Sequence, residues 1–552
     1  MRRRIVKKLK IKSATLIVIL TLYFSIILNL SFWRFIYHNV DVTSFRTFCF
    51  SVSLFFFIAI PLFLLFNLIC VKIIGKPFII VLLLSCSFTN FMMFNYGIFI
   101  DKYMIQNAME TNVREATDLI TMSLFFWLLI TGILPSVLVL ITSVQYGTLK
   151  EEFKTRFKNF LISILILGIF GSGLYKEYAS YGRNHKEIKN IINIVNFTSG
   201  TVSYIKRIRW SKRKFIELDQ NPQNLDYSKN KKMYTVVVFI VGETARAGNF
   251  SLDGYERKTN PLLEKQDIAY FKDVTACGTA TAVSVPCMFS HMDRKKFDVT
   301  DAKFTENLLD LAQKAGYHVI WRENDDGCKG VCKRVKDVKN MQKTNHPAYC
   351  HGDYCWDEVL LEELNNILPK VQQNTLIVLH TQGSHGPTYH QRYPDKFKKF
   401  LPTCDTADIQ DCSLDQIVNT YDNTILYTDY IISQTIDIVK KYPGFESSVI
   451  YVSDHGESLG ENNIFLHGMP YRIAPVEQKS VPMVIWMNEN MKKWDYIDYN
   501  CLKLSAEKKA YSHDNLFHSL LGLLAIKTFV YDNNYDLFDA CRTKPLPFAE
   551  KQ

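Results

Sequence analysis

The stretch Ser448–Gly468, SVIYVSDHGESLGENNIFLHG, decides the fold and locates a candidate site. A short apolar run ends in a carboxylate beside an imidazole, Asp454 and His455, and His467 follows twelve residues after His455. This pattern can be purely structural, because Asp454 can cap a turn, His455 can be a satisfied interior histidine and Gly456 can permit the turn. It can also hold a metal ion. The rest of the chain has to decide between these interpretations.

Other short, β-branched runs share the C-terminal part of the chain and alternate there with helical stretches. They are YTVVVFIVGET (234–244), YHVIWREN (317–324), NTLIVLHTQGSHG (374–386) and VPMVIWM (481–487). Runs of this kind are typical of strands buried on both faces, so we predict an α/β domain with a mainly parallel sheet. In such sheets, ligands bind beyond the carboxyl ends of the strands.

Polar residues follow these predicted strands at the required places. Glu243 follows the first, His385 follows the third, and Asp454 and His455 follow the run quoted above. A Glu, an Asp and a His form a reasonable ligand set for a catalytic Zn²⁺ that keeps one position open. The segment CGTATAVSVPC (277–287) adds hydroxyls and can start a helix whose N–H groups bind an anion. A threonine there could serve as a metal-activated nucleophile for phosphoryl transfer, and scattered polar caps remain the alternative.

The N-terminal part of the chain is dominated by long apolar runs. They cover Ser13–Trp33, Thr47–Val71, Pro77–Ile100, Leu119–Val144 and Phe160–Leu174. Each can bridge or nearly bridge a hydrocarbon core of about 30 Å, so we predict five membrane helices. The first run could be a cleaved signal peptide, but it is long for one and no small-residue cleavage pattern follows it.

Charge sets the predicted topology. The basic start MRRRIVKKLK and the lysines and arginines of alternate loops place the N-terminus in the cytoplasm, and an odd number of spans then places everything after Leu174 outside. Much of the net charge of +11 therefore reflects topology, and we infer no nucleic-acid partner from it. We predict a transmembrane domain over 1–176, a bridge over 177–233 and a catalytic domain over 234–552. The bridge can form helices at the bilayer surface or a solvated linker.

Cysteines test this topology independently, because thiols pair in an oxidising compartment. Outside the predicted spans, most of the cysteines occur in pairs that are closely spaced in sequence: Cys277 and Cys287, Cys328 and Cys332, Cys350 and Cys355, Cys404 and Cys412. We predict four local disulfides, since histidines and further cysteines at zinc-site spacings are missing. Cys501 and Cys541 are candidates for a fifth bridge.

Several motifs together resemble one enzyme family. They are VVVFIVGETARAGNFSLDGY (236–255), CGTATAVSVPCMFS (277–290), WRENDDGCKGVC (321–332), TQGSHGPTYHQRYP (381–394) and YVSDHGESLGENNIFLHGMP (451–470). In this order they resemble the phosphoethanolamine transferases that modify lipid A, including the mobile colistin-resistance enzymes. MIQNAMETNVREA (104–116) and YASYGRNHKEI (178–188) extend the resemblance over nearly the whole chain.

The resemblance implies a five-helix inner-membrane part and a periplasmic domain of the alkaline phosphatase and sulfatase superfamily. It implies that Thr281, rather than Thr279, is the nucleophile. By the same resemblance, Glu243, Thr281, Asp454 and His455 are the zinc ligands. His385 and His467 match histidines that bind a further zinc or transfer protons, and Lys329 matches a lysine that contacts the phosphoryl group.

Asn107, Thr111 and Glu115, in the second outside loop, match family positions for lipid headgroup recognition. Without the family match, Glu115 would be assigned to an ion pair with Arg114 or to a helix cap. Asp325 departs from the family, in which relatives commonly show paired asparagines, and it puts an extra anion near the phosphate site.

The resemblance implies transfer of phosphoethanolamine from phosphatidylethanolamine to a lipid A phosphate through a threonine intermediate, which would confer resistance to cationic peptides such as polymyxin. Alternative acceptors are the Kdo or heptose sugars of the lipopolysaccharide core, and we expect a monomer. A phosphoglycerol transferase or phosphodiesterase of the same fold, or a non-catalytic envelope protein, are the rivals. A sulfatase is disfavoured, because CGTATAVSVPC lacks its Cys-x-Pro-x-Arg-like setting.

Overall fold

The computed structural model describes residues 10–40, 42–72, 75–110, 113–185, 188–209, 213–225, 233–352 and 354–547. The chain divides into two compact units. The first contains residues 1–102 and 120–203, and the second contains residues 103–119 and 204–552. The division at residue 203 falls inside the predicted bridge, and the loop 103–119 groups with the C-terminal part of the chain.

Among the described residues, the first unit contains five helical segments long and apolar enough to cross a membrane. They are Ser13–Asn39, Phe45–Ile69, Gly75–Tyr96, Met122–Ile141 and Leu149–Gly173. The first is divided into helices Ser13–Ile26 and Leu30–Asn39 by a 3₁₀ turn, and the fourth into Met122–Leu128 and Leu134–Ile141 by a π-helical turn. The predicted number of spans is therefore confirmed.

The limits of the spans differ from the apolar runs. The fifth helix begins at Leu149 rather than Phe160, because Thr148 and Glu151 form a capping box that starts the helix in charged sequence. The third span ends at Tyr96 rather than Ile100. Three helices follow the last span: Tyr175–Asn184, Ile188–Ile191 and Asn193–Arg209. The described part of the bridge up to Arg209 is therefore largely helical, and its position at the bilayer surface stays a prediction. A short parallel ladder pairs Lys10–Lys12 with Ser143–Gln145.

The second unit is built around a seven-stranded sheet. Its strands are β1 (Thr235–Gly242), β2 (Ala269–Phe271), β3 (His318–Glu323), β4 (Asp337–Asn340), β5 (Thr375–His380), β6 (Glu446–Ser453) and β7 (Met483–Met487). Their order across the sheet is β2-β7-β6-β1-β5-β3-β4. The five strands from β6 to β4 are mutually parallel, and β7 is antiparallel to both β6 and β2. The mainly parallel sheet is thus confirmed.

The central strands form because their β-branched and aromatic residues are buried on both faces of the sheet. Every residue of β1, β5 and β6 is buried. Phe239 of β1 and Trp321 of β3 pack against Phe289 in the core. The sequence prediction missed β2 and β4, which are edge strands of only three and four residues.

Helices and short ladders complete the second unit. The helices are Lys102–Glu110, Val113–Asp118, Thr281–Met288, Val299–Lys303, Leu308–Lys314, Glu358–Ile367, Leu414–Lys440, Glu489–Trp494, Tyr499–Lys508 and Asp514–Leu523. The ladders pair Gln223–Asn224 with Ile526–Lys527, Asp273–Thr275 with Ala510–Ser512, Cys350–His351 with Tyr354–Cys355, and Ser458–Leu459 with Phe465–Leu466. We call Thr281–Met288 the nucleophile helix, because it begins with the predicted nucleophile.

All five predicted cysteine pairs are disulfides. They are Cys277–Cys287, Cys328–Cys332, Cys350–Cys355, Cys404–Cys412 and Cys501–Cys541. The cysteines of the membrane helices, Cys49, Cys70 and Cys86, are free. Each disulfide lies in the second unit, as expected for a domain in an oxidising compartment.

Candidate active site

The carboxyl ends of adjacent parallel strands bring the predicted site residues together. Gly242 at the end of β1 is in register with Ser453 at the end of β6. The next residues, Glu243 and Asp454, therefore leave the sheet side by side, and His455 follows directly. The side chains of Glu243, Asp454 and His455 are fully buried.

Thr281 lies at the start of the nucleophile helix and points at this group. Its Oγ1 is 3.2 and 3.1 Å from the two carboxylate oxygens of Glu243, to which it donates, and 3.4 Å from Nε2 of His455. The hydroxyl of Thr279 instead donates to the carbonyl of Met469 at 2.6 Å. Of these two threonines, Thr281 is therefore the one whose hydroxyl reaches the acidic group.

The orientations of these side chains fit a divalent metal ion. Nδ1 of His455 donates to the carbonyl of Gly456 at 3.0 Å, so Nε2 presents its lone pair to the carboxylates. Nε2 lies 3.3 Å from Oδ2 of Asp454 and 3.5 Å from Oε1 of Glu243. Oδ2 of Asp454 is buried and has no hydrogen-bond partner. A buried carboxylate oxygen in this state needs a cation, and two carboxylates with one imidazole are suitable ligands.

Electrostatics keep His455 in the form that binds metal. Burial lowers the pKa of His455 to about 4, against an opposing effect of Asp454. The imidazole is therefore neutral near pH 7, as a metal ligand must be.

A second group of polar side chains adjoins His455. The ring of His467 lies 4.4 Å from that of His455 and 5.3 Å from that of His385, measured between centroids. Nδ1 of His467 is 2.9 Å from Oε2 of Glu457, and the hydroxyl of Tyr389 donates to Oε1 of Glu457 at 2.8 Å. Burial raises the pKa of the Glu457 carboxyl to about 7. The sequence analysis predicted His385 and His467 as site residues but missed Glu457 and Tyr389.

Comparison with known proteins agrees with this geometry. The sulfatase family matches residues 235–526, and the family described as phosphoethanolamine transferase EptA/EptB matches residues 57–208. The chain is 38% identical to phosphoethanolamine transferase EptA of Escherichia coli K12, over 98% of this chain and 99% of the relative. It belongs to the phosphoethanolamine transferases.

Further relatives support the assignment. The chain is 35% identical to phosphatidylethanolamine transferase Mcr-1 of Escherichia coli, over 75% of this chain and 78% of the relative. The structure of lipooligosaccharide phosphoethanolamine transferase A of Neisseria meningitidis, an integral membrane protein, matches with a TM-score of 0.93 and 38% identity, over 97% of this chain and all of that chain. The transferase is thus a multi-pass inner-membrane protein with a periplasmic catalytic domain of the sulfatase fold, as predicted.

Lys329 of the transferase lies in a buried ion pair. Its Nζ donates to Oδ2 of Asp326 at 2.7 Å and to the carbonyl of Asp326 at 2.9 Å. Lys329 also lines a small pocket with Pro286 and Ser290, near the C-terminal end of the nucleophile helix. Its predicted contact with the phosphoryl group stays a prediction.

The predicted headgroup residues fall in the loop 103–119, which belongs to the catalytic unit. Asn107 is half-buried in the helix Lys102–Glu110. Thr111 lies outside the described residues, and Glu115 lies in the helix Val113–Asp118, where the structure does not describe its side chain.

Contacts join this loop to the catalytic loops of the transferase. Arg392 donates to Oδ2 of Asp118 at 3.1 Å and, through Nε, to the carbonyl of His385 at 2.7 Å. A methyl group at Gly468 would meet Cε of Met104 at 2.4 Å, so Met104 lies against the residue that follows His467. The loop therefore lies beside the histidines of the site.

Proposed function

We propose that this transferase moves phosphoethanolamine from phosphatidylethanolamine to a phosphate of lipid A through a covalent phosphoethanolamine ester of Thr281. One observation carries the proposal: the hydroxyl of Thr281 points at Glu243 and His455, beside an Asp454 oxygen that lacks a hydrogen bond. This is the arrangement expected for an activated alcohol nucleophile.

In the first half reaction, Oγ1 of Thr281 forms a bond to the phosphorus of phosphatidylethanolamine. The bond from phosphorus to the glycerol oxygen breaks, and diacylglycerol leaves as the alcohol. In the second half reaction, an oxygen of the lipid A phosphate attacks the same phosphorus and releases Thr281. Glu243 accepts a hydrogen bond from the Thr281 hydroxyl and so orients it for attack.

We assign Glu243, Thr281, Asp454 and His455 as ligands of a Zn²⁺ ion. When bound, Zn²⁺ acts as a Lewis acid that favours the deprotonated hydroxyl and stabilises charge on the phosphoryl oxygens. We assign zinc because one imidazole and two carboxylates are ligands that Zn²⁺ commonly binds. His385 and His467 form the candidate site of a further zinc ion.

Proton transfer is assigned to the group around His467. A proton has to pass from the Thr281 hydroxyl to the departing glycerol oxygen, and a proton has to return to Thr281 when the lipid A phosphate displaces it. His467 shares a hydrogen bond with Glu457, and Glu457 also accepts from Tyr389, so this chain of side chains can hold a proton next to the nucleophile. His385 is the alternative donor, since its ring lies beside that of His467.

Donor recognition is assigned to the loop 103–119 and to Lys329. The carboxylate of Glu115 would receive the ethanolammonium group, and Asn107 and Thr111 would orient oxygens of phosphate or glycerol. Lys329 would contribute positive charge toward the phosphoryl group. The contacts of Asp118 and Met104 with the catalytic loops support this assignment, because they hold the loop beside the site.

Transfer to lipid A would place a cationic amine on an anionic phosphate of the cell surface. This would lower the attraction of the surface for cationic peptides such as polymyxin.

The test compares the full-length transferase with Thr281→Ala and Thr281→Ser in cells that lack other phosphoethanolamine transferases. Mass spectrometry of lipid A should show the addition with the wild-type protein and none with Thr281→Ala, whereas Thr281→Ser, which keeps a hydroxyl, should retain part of it. Transfer by Thr281→Ala at the wild-type level would refute the covalent mechanism. An addition found on Kdo or heptose instead of lipid A would refute the assigned acceptor.

A further inference from the structure

A second group of metal-ligand side chains includes Glu243 and lies at the carboxyl ends of strands β1, β5 and β3. Glu243 follows β1, His380 ends β5, and Asp325 comes two residues after the end of β3. These three strands are neighbours in the sheet. One ligand atom from each residue lies within 4.8 Å of the others, and all three side chains are buried.

The orientation of His380 is that of a metal-binding histidine. Its Nδ1 donates to Oε2 of Glu323 at 3.0 Å, and Glu323 is held in place because it also accepts from the indole of Trp321 at 2.8 Å. Metal-binding histidines commonly donate their other ring nitrogen to a carboxylate in this way. Nε2 of His380 is fully buried and has no hydrogen-bond partner. It faces Oδ2 of Asp325 at 3.9 Å, which is too long for a hydrogen bond.

Charge favours a cation at the same place. The ion assigned to Glu243, Asp454 and His455 has two positive charges, which its own two carboxylates balance. Asp325 brings a further buried carboxylate next to Glu243. A buried anion is costly unless a cation or several hydrogen bonds compensate it. Burial lowers the pKa of His380, but the carboxylates of Glu323 and Asp325 outweigh it and raise that pKa to about 9, so a proton on His380 supplies part of this charge when no ion is bound. A divalent ion between the oxygens of Asp325 and Glu243 and Nε2 of His380 would take the place of that proton.

We propose that Glu243, Asp325 and His380 hold a second divalent transition-metal ion, of the Zn²⁺ or Mn²⁺ class, with Glu243 shared between this site and the first. This site is distinct from the one assigned to His385 and His467. The second ion would fix Glu243, and through it the Thr281 hydroxyl. Asp325, which looks unfavourable next to a phosphate site, then serves as a metal ligand.

The test counts metal in the purified full-length protein in detergent, stripped with a chelator and then dialysed against Zn²⁺ or Mn²⁺. Asp325→Asn removes a carboxylate with little change in shape. Asp326→Asn is the matched control, because Asp326 is an adjacent buried carboxylate that pairs with Lys329 instead. Both substitutions are also made in a His385→Ala/His467→Ala background, which removes the other candidate site.

We expect Asp325→Asn to bind one metal equivalent fewer than the wild type in both backgrounds, and Asp326→Asn to bind the same number. Equal counts for Asp325→Asn and the wild type would overturn the proposal. Should Asp325→Asn fail to fold, anomalous diffraction from the wild-type protein decides. A peak between Glu243, Asp325 and His380 supports the site, and its absence while the first site is filled refutes it. Metal counts need no turnover, so an error in the assigned donor or acceptor leaves this result unchanged.

Discussion

Removal of the Cys277–Cys287 disulfide should lower activity more than its effect on stability would suggest. Thr281 lies between these two cysteines, and the second lies inside the nucleophile helix. The backbone N–H of Cys277 also donates to Nδ1 of His513. The bridge therefore holds both sides of the segment that presents the nucleophile.

The magnitude follows from the length of the closed loop. Loss of a cross-link with a sequence separation of 10 should lower the free energy of unfolding by about 2.7 kcal/mol, through the entropy of the unfolded chain. The matched control is Cys501–Cys541, whose separation of 40 gives about 3.9 kcal/mol. The control should therefore be the less stable variant, by about 1.2 kcal/mol. Neither of its cysteines has a described hydrogen bond to Thr281.

Two assays separate stability from activity. Urea unfolding is measured on the soluble part of the chain, residues 213–547, which contains both disulfides. Lipid transfer is measured on the full-length protein, at a temperature well below the thermal unfolding midpoint of either variant. Cys277→Ala/Cys287→Ala should lower transfer by on the order of 10- to 100-fold, because small displacements of a nucleophile are costly. Cys501→Ala/Cys541→Ala should keep lipid-transfer activity near that of the wild type.

The reasoning would be refuted in either of two ways. If the two variants lose activity equally at that temperature, the bridge beside Thr281 has no positioning role. If Cys277→Ala/Cys287→Ala is the less stable variant, loop entropy does not determine which of the two variants is less stable.

Three further predictions concern the surroundings of the site. Gly383 has φ of +51°, and a methyl group there would meet the carbonyl oxygen of Glu243 at 2.5 Å. Gly383→Ala should therefore cost about 1–3 kcal/mol in thermal unfolding and weaken metal binding in titration calorimetry. Gly444→Ala, with open space around the new methyl group, should change neither, and equal effects of both would contradict this account. Burial lowers the pKa of His513 and of His518 to about 4, so the unfolded chain takes up protons first as the pH falls. The free energy of unfolding should be insensitive to these groups above pH ~6.5 and fall by up to about 1.4 kcal/mol per pH unit per histidine down to pH ~4; a flat profile in urea titrations would exclude this. Removal of metal by a chelator should lower the thermal midpoint, because buried carboxylates lose their counter-charge, and added Zn²⁺ should restore it; an unchanged midpoint would count against a metal site.

The sequence predicts the parts of this protein that depend on local patterns. Apolar runs predicted five spans, and buried β-branched runs predicted β1, β3, β5, β6 and β7, because burial on both faces leaves a continuous apolar signal. Strand ends then pointed to Glu243, Asp454 and His455, since parallel strands end at one edge. Close spacing of cysteines predicted the local disulfides.

Features that depend on tertiary contacts were missed. Glu457 and Tyr389 are far apart in sequence, and only the fold brings the hydroxyl of one to the carboxylate of the other. The position of Glu457, two residues after His455 in the strand-end motif, was a signal that could have been used. The pairing of Lys329 with Asp326 was equally hidden, because sequence neighbours of opposite charge need not be buried together.

The assignment of the loop 103–119 to the catalytic unit has a consequence for how the donor is used. Sequence order puts this loop between two membrane spans, which would allow it to move with the membrane helices. In the structure, Asp118 is instead bound by Arg392, whose Nε holds the carbonyl of His385. The proposed headgroup residues and the proposed proton-transfer residues therefore belong to one compact unit. A donor headgroup bound by this loop would therefore be held by the same unit that carries Thr281, which would preorganise the phosphorus for attack.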